Sequence, residues 1–217
     1  MSIAEEKQKL REKIWREMES SGVTTFPLPC WGRIPNFVGA EAAAERLRQL
    51  EEWKKAKVVF VNPDSPQRKV RENALKDGKI LIMASPRLKR GFILIDPLKV
   101  RGKEHLASTI RGAFKYGIET LDLPKPDLIV EGSVAVDLEG YRLGKGHGYG
   151  DTEIEILKKK FGEIPVATTV HDMQVVEKVP SEAKDEKVSI IITPTRVIRV
   201  KSQQQKKLER DGVFALP

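Results

Sequence analysis

Residues Lys57–Ala84, KVVFVNPDSPQRKVRENALKDGKILIMA, hold two apolar runs separated by one polar, helix-forming segment. Lys57–Val61 is short, β-branched and aromatic, and shows no polar alternation, so it reads as a strand buried on both faces. Asn62-Pro-Asp-Ser-Pro66 is a turn, because its prolines remove amide donors and its Asn, Asp and Ser favour local hydrogen bonds. Gln67–Lys76 is a helix that stops at Asp77-Gly78. Ile80–Ala84 is a second strand of the buried type. Strand, helix and strand in this order predict a sheet with parallel neighbours.

The same alternation continues outward. Toward the C-terminus, Gly91–Asp96 is a third strand candidate. His105–Tyr116 reads as one helix with Leu106, Ile110, Ala113 and Phe114 inward, and Asp127–Glu131 and Val134–Asp137 read as strands. Asp151–Phe161 is a helix with Ile154, Leu157 and Phe161 inward, followed by strands at Val166–Val170, Val188–Ile192 and Val197–Val200. Toward the N-terminus, Ala40–Lys55 is helical with Ala43, Leu47 and Leu50 on one side, and residues 3–20 form a helix stopped by Ser20-Ser21-Gly22. The pattern predicts an α/β fold, a mostly parallel sheet with helices on both faces. Ligands of such sheets sit at the carboxyl ends of the strands. No internal repeat and no linker divides the chain, so residues 1–217 are expected as a single domain ending in a polar tail over 201–217.

Composition narrows the class. Hydrophobic residues at 40% exclude a wholly disordered chain. No apolar run approaches the length of a membrane-spanning helix, and MSIAEEKQKLREKIW is charged where a secretory signal is apolar. One cysteine, Cys30, excludes a disulfide framework and a multi-cysteine zinc site, and a cytoplasmic location is expected. The 39 Lys and Arg exceed the 31 Asp and Glu by eight, which suits a polyanionic partner: nucleic acid, a phosphorylated ligand or a polyglutamylated one.

Two segments carry chemistry out of place in a plain scaffold. At helical spacing Ile3, Leu10, Ile14 and Met18 form one stripe, and Lys7 and Arg11 fall inside it. Either their stems snorkel to water, or something anionic meets them. Phe26-Pro-Leu-Pro-Cys-Trp-Gly-Arg-Ile-Pro-Asn-Phe37 is barred from helix and central strand by its prolines and covers either a core edge or a ligand.

The strongest local signal is Leu143-Gly-Lys-Gly-His-Gly-Tyr-Gly-Asp151. Glycine at 144, 146, 148 and 150 costs backbone entropy, which a chain tolerates where its backbone approaches a ligand. A strand, a glycine-rich loop and a helix N-terminus together make an anion cradle. Lys145 adds a point charge. Asp151 is suited to capping the helix or holding a divalent cation beside a phosphate, and His147 to touching phosphate or facing solvent. The pattern is neither the Walker loop nor the dinucleotide fingerprint, and a flexible hairpin is the competing reading.

Arg142-Leu-Gly-Lys-Gly-His-Gly-Tyr-Gly-Asp151 resembles the RLGRGxGYYD signature of the 5-formyltetrahydrofolate cyclo-ligases, and Lys7-x-x-Leu10-Arg11 is similar to that family's K-x-x-L-R. Arg33–Phe37, Asn62–Pro66, Ser85–Leu88, Gly132–Val136, Val170–Gln174 and Thr193–Val197 look like the branch of methenyltetrahydrofolate synthase domain-containing proteins and their archaeal relatives. The resemblance runs from residue 7 to about 200. It implies a three-layer α/β/α fold of the ribose-5-phosphate isomerase and CoA transferase type, and an ATP- and Mg²⁺-dependent ligase that closes 5-formyltetrahydrofolate to 5,10-methenyltetrahydrofolate through a phosphorylated formyl group.

On that resemblance Lys7, Arg11 and the run Gly144, Lys145, Gly146, His147, Gly148, Tyr149, Gly150 and Asp151 are expected to bind ATP. Lys145, Tyr149 and Arg11 take the catalytic roles, and Asp151 takes the metal. Phe26, Arg33, Asn36 and Phe37 are expected to hold a reduced folate or related pterin by stacking and hydrogen bonds, with Asp64 and Arg87 beside them. Two departures stand out: no glutamate follows the first sheet strand, where Asp64 is the nearest substitute, and Gly150 replaces the second tyrosine. Two other readings remain: an ATP-using enzyme with a different small substrate, and a non-catalytic nucleotide- or RNA-binding module. No membrane partner is expected, and the chain is expected to act as a monomer or homodimer.

Overall fold

The computed structural model describes residues 2–183 and 185–201; the expected polar tail beyond Lys201 lies outside the described residues. The chain opens with α1 (Ile3–Ser20), whose start is set by a capping box: Ser2 Oγ accepts from Glu5 N and the Glu5 carboxylate accepts from Ser2 N. After the proline-rich loop come α2 (Ala40–Arg48), α3 (Glu51–Lys55), β1 (Val58–Val61), a 3₁₀ turn at Ser65–Gln67, α4 (Arg68–Lys76), β2 (Ile80–Ala84) and β3 (Phe92–Ile95). The second half contains α5 (Glu104–Ala107), α6 (Ile110–Tyr116), β4 (Ile118–Thr120), β5 (Leu128–Glu131), β6 (Ala135–Asp137), β7 (Arg142–Leu143), α7 (Tyr149–Phe161), β8 (Val166–Thr169), β9 (Val175–Val176), β10 (Ile190–Ile192) and β11 (Val197–Arg199).

Eight strands form one sheet in the order β11-β10-β8-β5-β1-β2-β3-β4. The five from β10 to β2 are parallel, each reached by a crossover. β3 runs antiparallel to both β2 and β4, and β11 antiparallel to β10, with β4 and β11 at the two edges. The turns from β2 to β3 and from β10 to β11 are too short for a crossover, so those pairs are hairpins. The sheet is therefore mixed, with the parallel part in the middle. β6 does not join it: Val136 pairs with Arg142 of β7 and Val175 of β9 in a small second sheet.

Alternate strand residues feed two apolar layers. Val59, Val61, Leu81, Met83, Leu128 and Val130 meet α1 to α6 on one face, through Ile14, Trp15, Leu47, Trp53, Val70 and Ala113. Val58, Phe60, Ile82 and Ile129 meet α7 on the other, through Ile154 and Leu157. This is the three-layer α/β/α arrangement, and both sheet faces are covered because the parallel strands are apolar on both sides.

Two expected helices are each broken in two. Ala40–Lys55 bends at Leu50, whose φ/ψ of −73°/147° is extended; the bend carries Trp53 into the core, where its Nε1 donates to Asp77 Oδ2 at 2.8 Å. His105–Tyr116 breaks at Ser108-Thr109. A Cβ on Gly112 would stand 1.8 Å from the Leu106 carbonyl oxygen, so the tight corner requires glycine. Ala113 is then buried, but Leu106 and Ile110, expected inward, are exposed. Among the described residues no helix is long and apolar enough to cross a membrane.

Candidate active site

The carboxyl ends of β1, β2 and β5 open into a cavity of about 520 Å³. Its floor and walls come from Asn62, Pro63 and Asp64 after β1, Pro86 and Arg87 after β2, and Glu131 and Gly132 at the end of β5. The loop 144–148, the first turn of α7, and Lys7 and Arg11 of α1 complete the lining.

Local backbone requirements shape the loop. Gly146 has φ +107° and Gly148, the N-cap of α7, has φ +73°, conformations that side chains rarely adopt. α7 starts at Tyr149, two residues before the expected Asp151, so Tyr149, Gly150 and Asp151 make up its first turn, where amide donors lack intrahelical partners. The loop is clamped to α1: Arg11 Nε donates to the Gly144 carbonyl at 2.7 Å, and a Cβ on Gly146 would meet the Arg11 guanidinium at 3.6 Å. Burial lowers the Arg11 pKa.

The two cations on the α1 stripe therefore do not simply snorkel. Lys7 Nζ lies 2.6 Å from Asp185 and 3.7 Å from Glu182, carboxylates supplied by the chain itself at the cavity mouth. Lys145 Nζ bonds Asp64 Oδ1 at 2.7 Å, and Asn62 Nδ2 donates to the other Asp64 oxygen at 2.8 Å. His147 and Tyr149 pack against each other with ring centroids 5.9 Å apart, both on the cavity wall. Arg87 reaches the rim from a left-handed backbone, φ +59°, held by the Leu88 amide on the Ser85 carbonyl and the Arg90 amide on Ser85 Oγ.

Beneath the loop lies a buried charge cluster. Arg142 donates to the Gly132 carbonyl at 2.9 Å and to Asp151 Oδ1 at 3.2 Å. Burial presses its pKa down, but the carboxylates of Asp151, Glu131 and Glu153 outweigh this and raise it. Glu131 and Glu153 face each other across β5 and α7. Burial, and for Glu131 the neighbouring Glu153, pushes both carboxyls up, Glu153 to about 7. Two such groups in contact share a proton. A Cβ on Gly150 would stand 2.1 Å from Arg142 Nη2 and 3.2 Å from Glu131 Oε2, so Gly150 is the gap through which the guanidinium passes.

The proline-rich loop behaves otherwise than expected. Only Gly32 and Ile34 of it line the cavity. Phe26 is 83% exposed, Phe37 is buried in the core against the His171 ring, Asn36 Nδ2 ties the loop to the Phe26 carbonyl, and the Arg33 carbonyl accepts from Trp15 Nε1. The Asn36 amide, the buried Phe37 ring and the Phe26 and Arg33 carbonyls thus brace the loop on α1 and on itself. Lys7, Arg11, Gly144 to Asp151, Asp64 and Arg87 do share the cavity.

Asn62, Arg71, Glu131, Arg142 and Glu153 escaped sequence reasoning. Glu131 left one signal, a charge closing an otherwise apolar strand. Arg71 left none: its buried guanidinium donates to the carbonyls of Ser108, Asn62 and Asp64 and pins the β1 loop. No group of three or more His, Cys, Asp or Glu among the described residues suits a metal ion. Asp151, half-exposed on the wall with Arg142 on one oxygen, fits the single carboxylate that Mg²⁺ uses beside a polyphosphate.

The layered α/β/α fold places this cavity, lined by cations, glycines and carboxylates, at the carboxyl ends of its strands, where sheets of this class hold small ligands. Residues 3–194 match the 5-formyltetrahydrofolate cyclo-ligase family, and the chain belongs to it. It is 41% identical over 214 residues to the methenyltetrahydrofolate synthase domain-containing protein of Bos taurus, and 38% identical over 220 residues to that of Homo sapiens. The matches cover 92% and 95% of this chain but 55% and 57% of those proteins, so the chain spans about half the length of the curated relatives it matches. The fold is similar to that of 5,10-methenyltetrahydrofolate synthetase from Aquifex aeolicus (TM-score 0.57, 24% identity, 90% of this chain and 93% of the other). It is also similar to that of the synthetase from Mycoplasma pneumoniae (TM-score 0.52, 15% identity, 86% and 97%).

Proposed function

We propose that this cavity carries out the ATP-dependent closure of 5-formyltetrahydrofolate to 5,10-methenyltetrahydrofolate. The observation that carries the reading is the Arg11–Gly144 contact, which joins the cations of α1 and the glycine loop in one cavity within a chain of the cyclo-ligase family.

The formyl oxygen attacks the γ-phosphorus and ADP departs. N10 then bonds to the formyl carbon, the carbon–oxygen bond to phosphate breaks with its electron pair going to phosphate, and the N10 proton is lost. Both steps demand positioning and charge neutralisation more than covalent help. Lys7, Arg11, Lys145 and the first-turn amides of α7 supply cations and donors for the polyphosphate. Lys7 and Lys145 are held by Asp185 and Asp64 until phosphate oxygens replace those carboxylates. The cost of ordering the two lysines is thus met before ATP arrives. Tyr149, beside His147, is suited to orienting the transferred phosphate or the formyl group. Asp151 would hold Mg²⁺, whose chemistry is to neutralise charge on the phosphates.

Formation of methenyltetrahydrofolate, followed by absorbance with ATP, Mg²⁺ and 5-formyltetrahydrofolate, tests this directly, and no ATP-dependent product overturns it. A second reading has one observation in its favour. Asp64, the nearest substitute for the family's folate-loop glutamate, is engaged by Lys145 and Asn62, which suits an ATP-using ligase for another small substrate. ATP binding without folate turnover would select it.

A further inference from the structure

The phosphate chemistry leaves part of the cavity wall unused. Asn62 follows β1 and Glu131 ends β5, two adjacent parallel strands with Val61 paired to Val130 and the Asn62 amide on the Val130 carbonyl at 3.0 Å. The two side chains therefore leave neighbouring strand ends, and both line the cavity. Each residue is only 2% exposed. Glu131 Oε1 and Asn62 Oδ1 have no hydrogen-bond partner, although the rest of the Asn62 amide is engaged through Nδ2 on Asp64. Buried acceptors without a donor are rare in folded proteins, and two from adjacent strand ends of one cavity are rarer. A polyphosphate carries no donors, so it does not satisfy them.

We infer that Glu131 Oε1 and Asn62 Oδ1 form a subsite for a flat ligand edge carrying two adjacent donors, a ring N–H beside an amino group. On the folate reading, on which this rests, that edge belongs to the 2-amino-4-oxo ring of the pterin. The adenine of ATP does not suit the subsite, because its amino group is flanked by ring acceptors that would set lone pair against lone pair. Glu153, from α7, faces Glu131 and positions it.

Binding to the intact chain tests the inference with three probes: 5-formyltetrahydrofolate, its analogue lacking the 2-amino group, and ATP. The wild type is expected to prefer the amino form by about tenfold, the value of a buried acceptor left without its donor. Glu131→Met, which removes the Oε1 acceptor, should abolish most of that preference and leave ATP affinity unchanged. Glu131→Leu should do the same and serves if the methionine variant does not fold, whereas Glu131→Gln, which keeps an acceptor oxygen, should retain much of the preference. Glu153→Gln, still able to donate to Glu131, should retain the preference. A preference that survives in both the methionine and the leucine variants overturns the subsite, and so does loss of ATP affinity with folate discrimination intact. If the wild type binds no reduced folate, the proposed function itself fails; if it binds and the variants discriminate equally well, only the subsite does.

Discussion

Arg11 illustrates how a single side chain can be read from sequence and still surprise. A cation on an apolar stripe signals an unusual partner, and the partner at 2.7 Å is a backbone carbonyl of the glycine loop rather than a carboxylate. Arg11→Ala is expected to weaken ATP binding about tenfold or more while leaving the melting temperature nearly unchanged, since the side chain bonds the loop and not the core; calorimetry and thermal melting separate the two. Lys145→Ala should likewise weaken ATP binding with the fold intact, and unchanged affinity would remove Lys145 from the phosphate site. Gly150→Ala makes a different point. Its Cβ would collide with Arg142 Nη2 at 2.1 Å, so the guanidinium must leave Asp151 and the buried carboxyls. The expected result is lower stability together with weaker ligand binding, both visible in melting curves with and without ATP.

At the scale of elements, register and breaks decide what reaches the site. The β1 loop is held by Arg71, which satisfies three backbone carbonyls from inside the core. Burial lowers its pKa to about 9, so it stays charged at neutral pH. Arg71→Leu should cost roughly 3 kcal/mol or more, because each orphaned buried carbonyl costs about 1–3 kcal/mol. Urea denaturation measures this, and a loss below about 1 kcal/mol would show that water replaces the guanidinium. Apolar spacing alone could not locate the breaks at Leu50 and Ser108. They serve Trp53 and the buried Ser108 carbonyl that accepts from Arg71, contacts between segments far apart in the chain.

For the whole molecule, the Glu131–Glu153 pair couples stability to pH. A carboxyl raised from 4.5 to about 7 on folding keeps its proton where the unfolded chain has lost it. Stability from this group is therefore greatest below pH 4.5, declines as pH rises toward about 7 and is level above. The decline is on the order of 3 kcal/mol by linkage. Glu153→Gln should melt higher than the wild type at pH 8 and show a smaller drop between pH 5 and 8. Equal drops in both proteins would mean that the pair does not hold a proton in the folded state.

The sequence by itself determined the layered α/β architecture, because strands apolar on both faces and helices with one apolar stripe leave few other ways to bury both. It also singled out Lys7, Arg11 and the loop 144–151, since glycines at strained turns and cations on an apolar stripe are costly without a partner, and the fold brings them to one cavity. Only the tertiary structure decided that the proline-rich loop braces itself and lends only Gly32 and Ile34 to the cavity. It alone brought Glu131, Arg142 and Glu153 together beneath Gly150. Those charges come from three separate elements, and their cost and their pairing exist only when β5, β7 and α7 pack and exclude water.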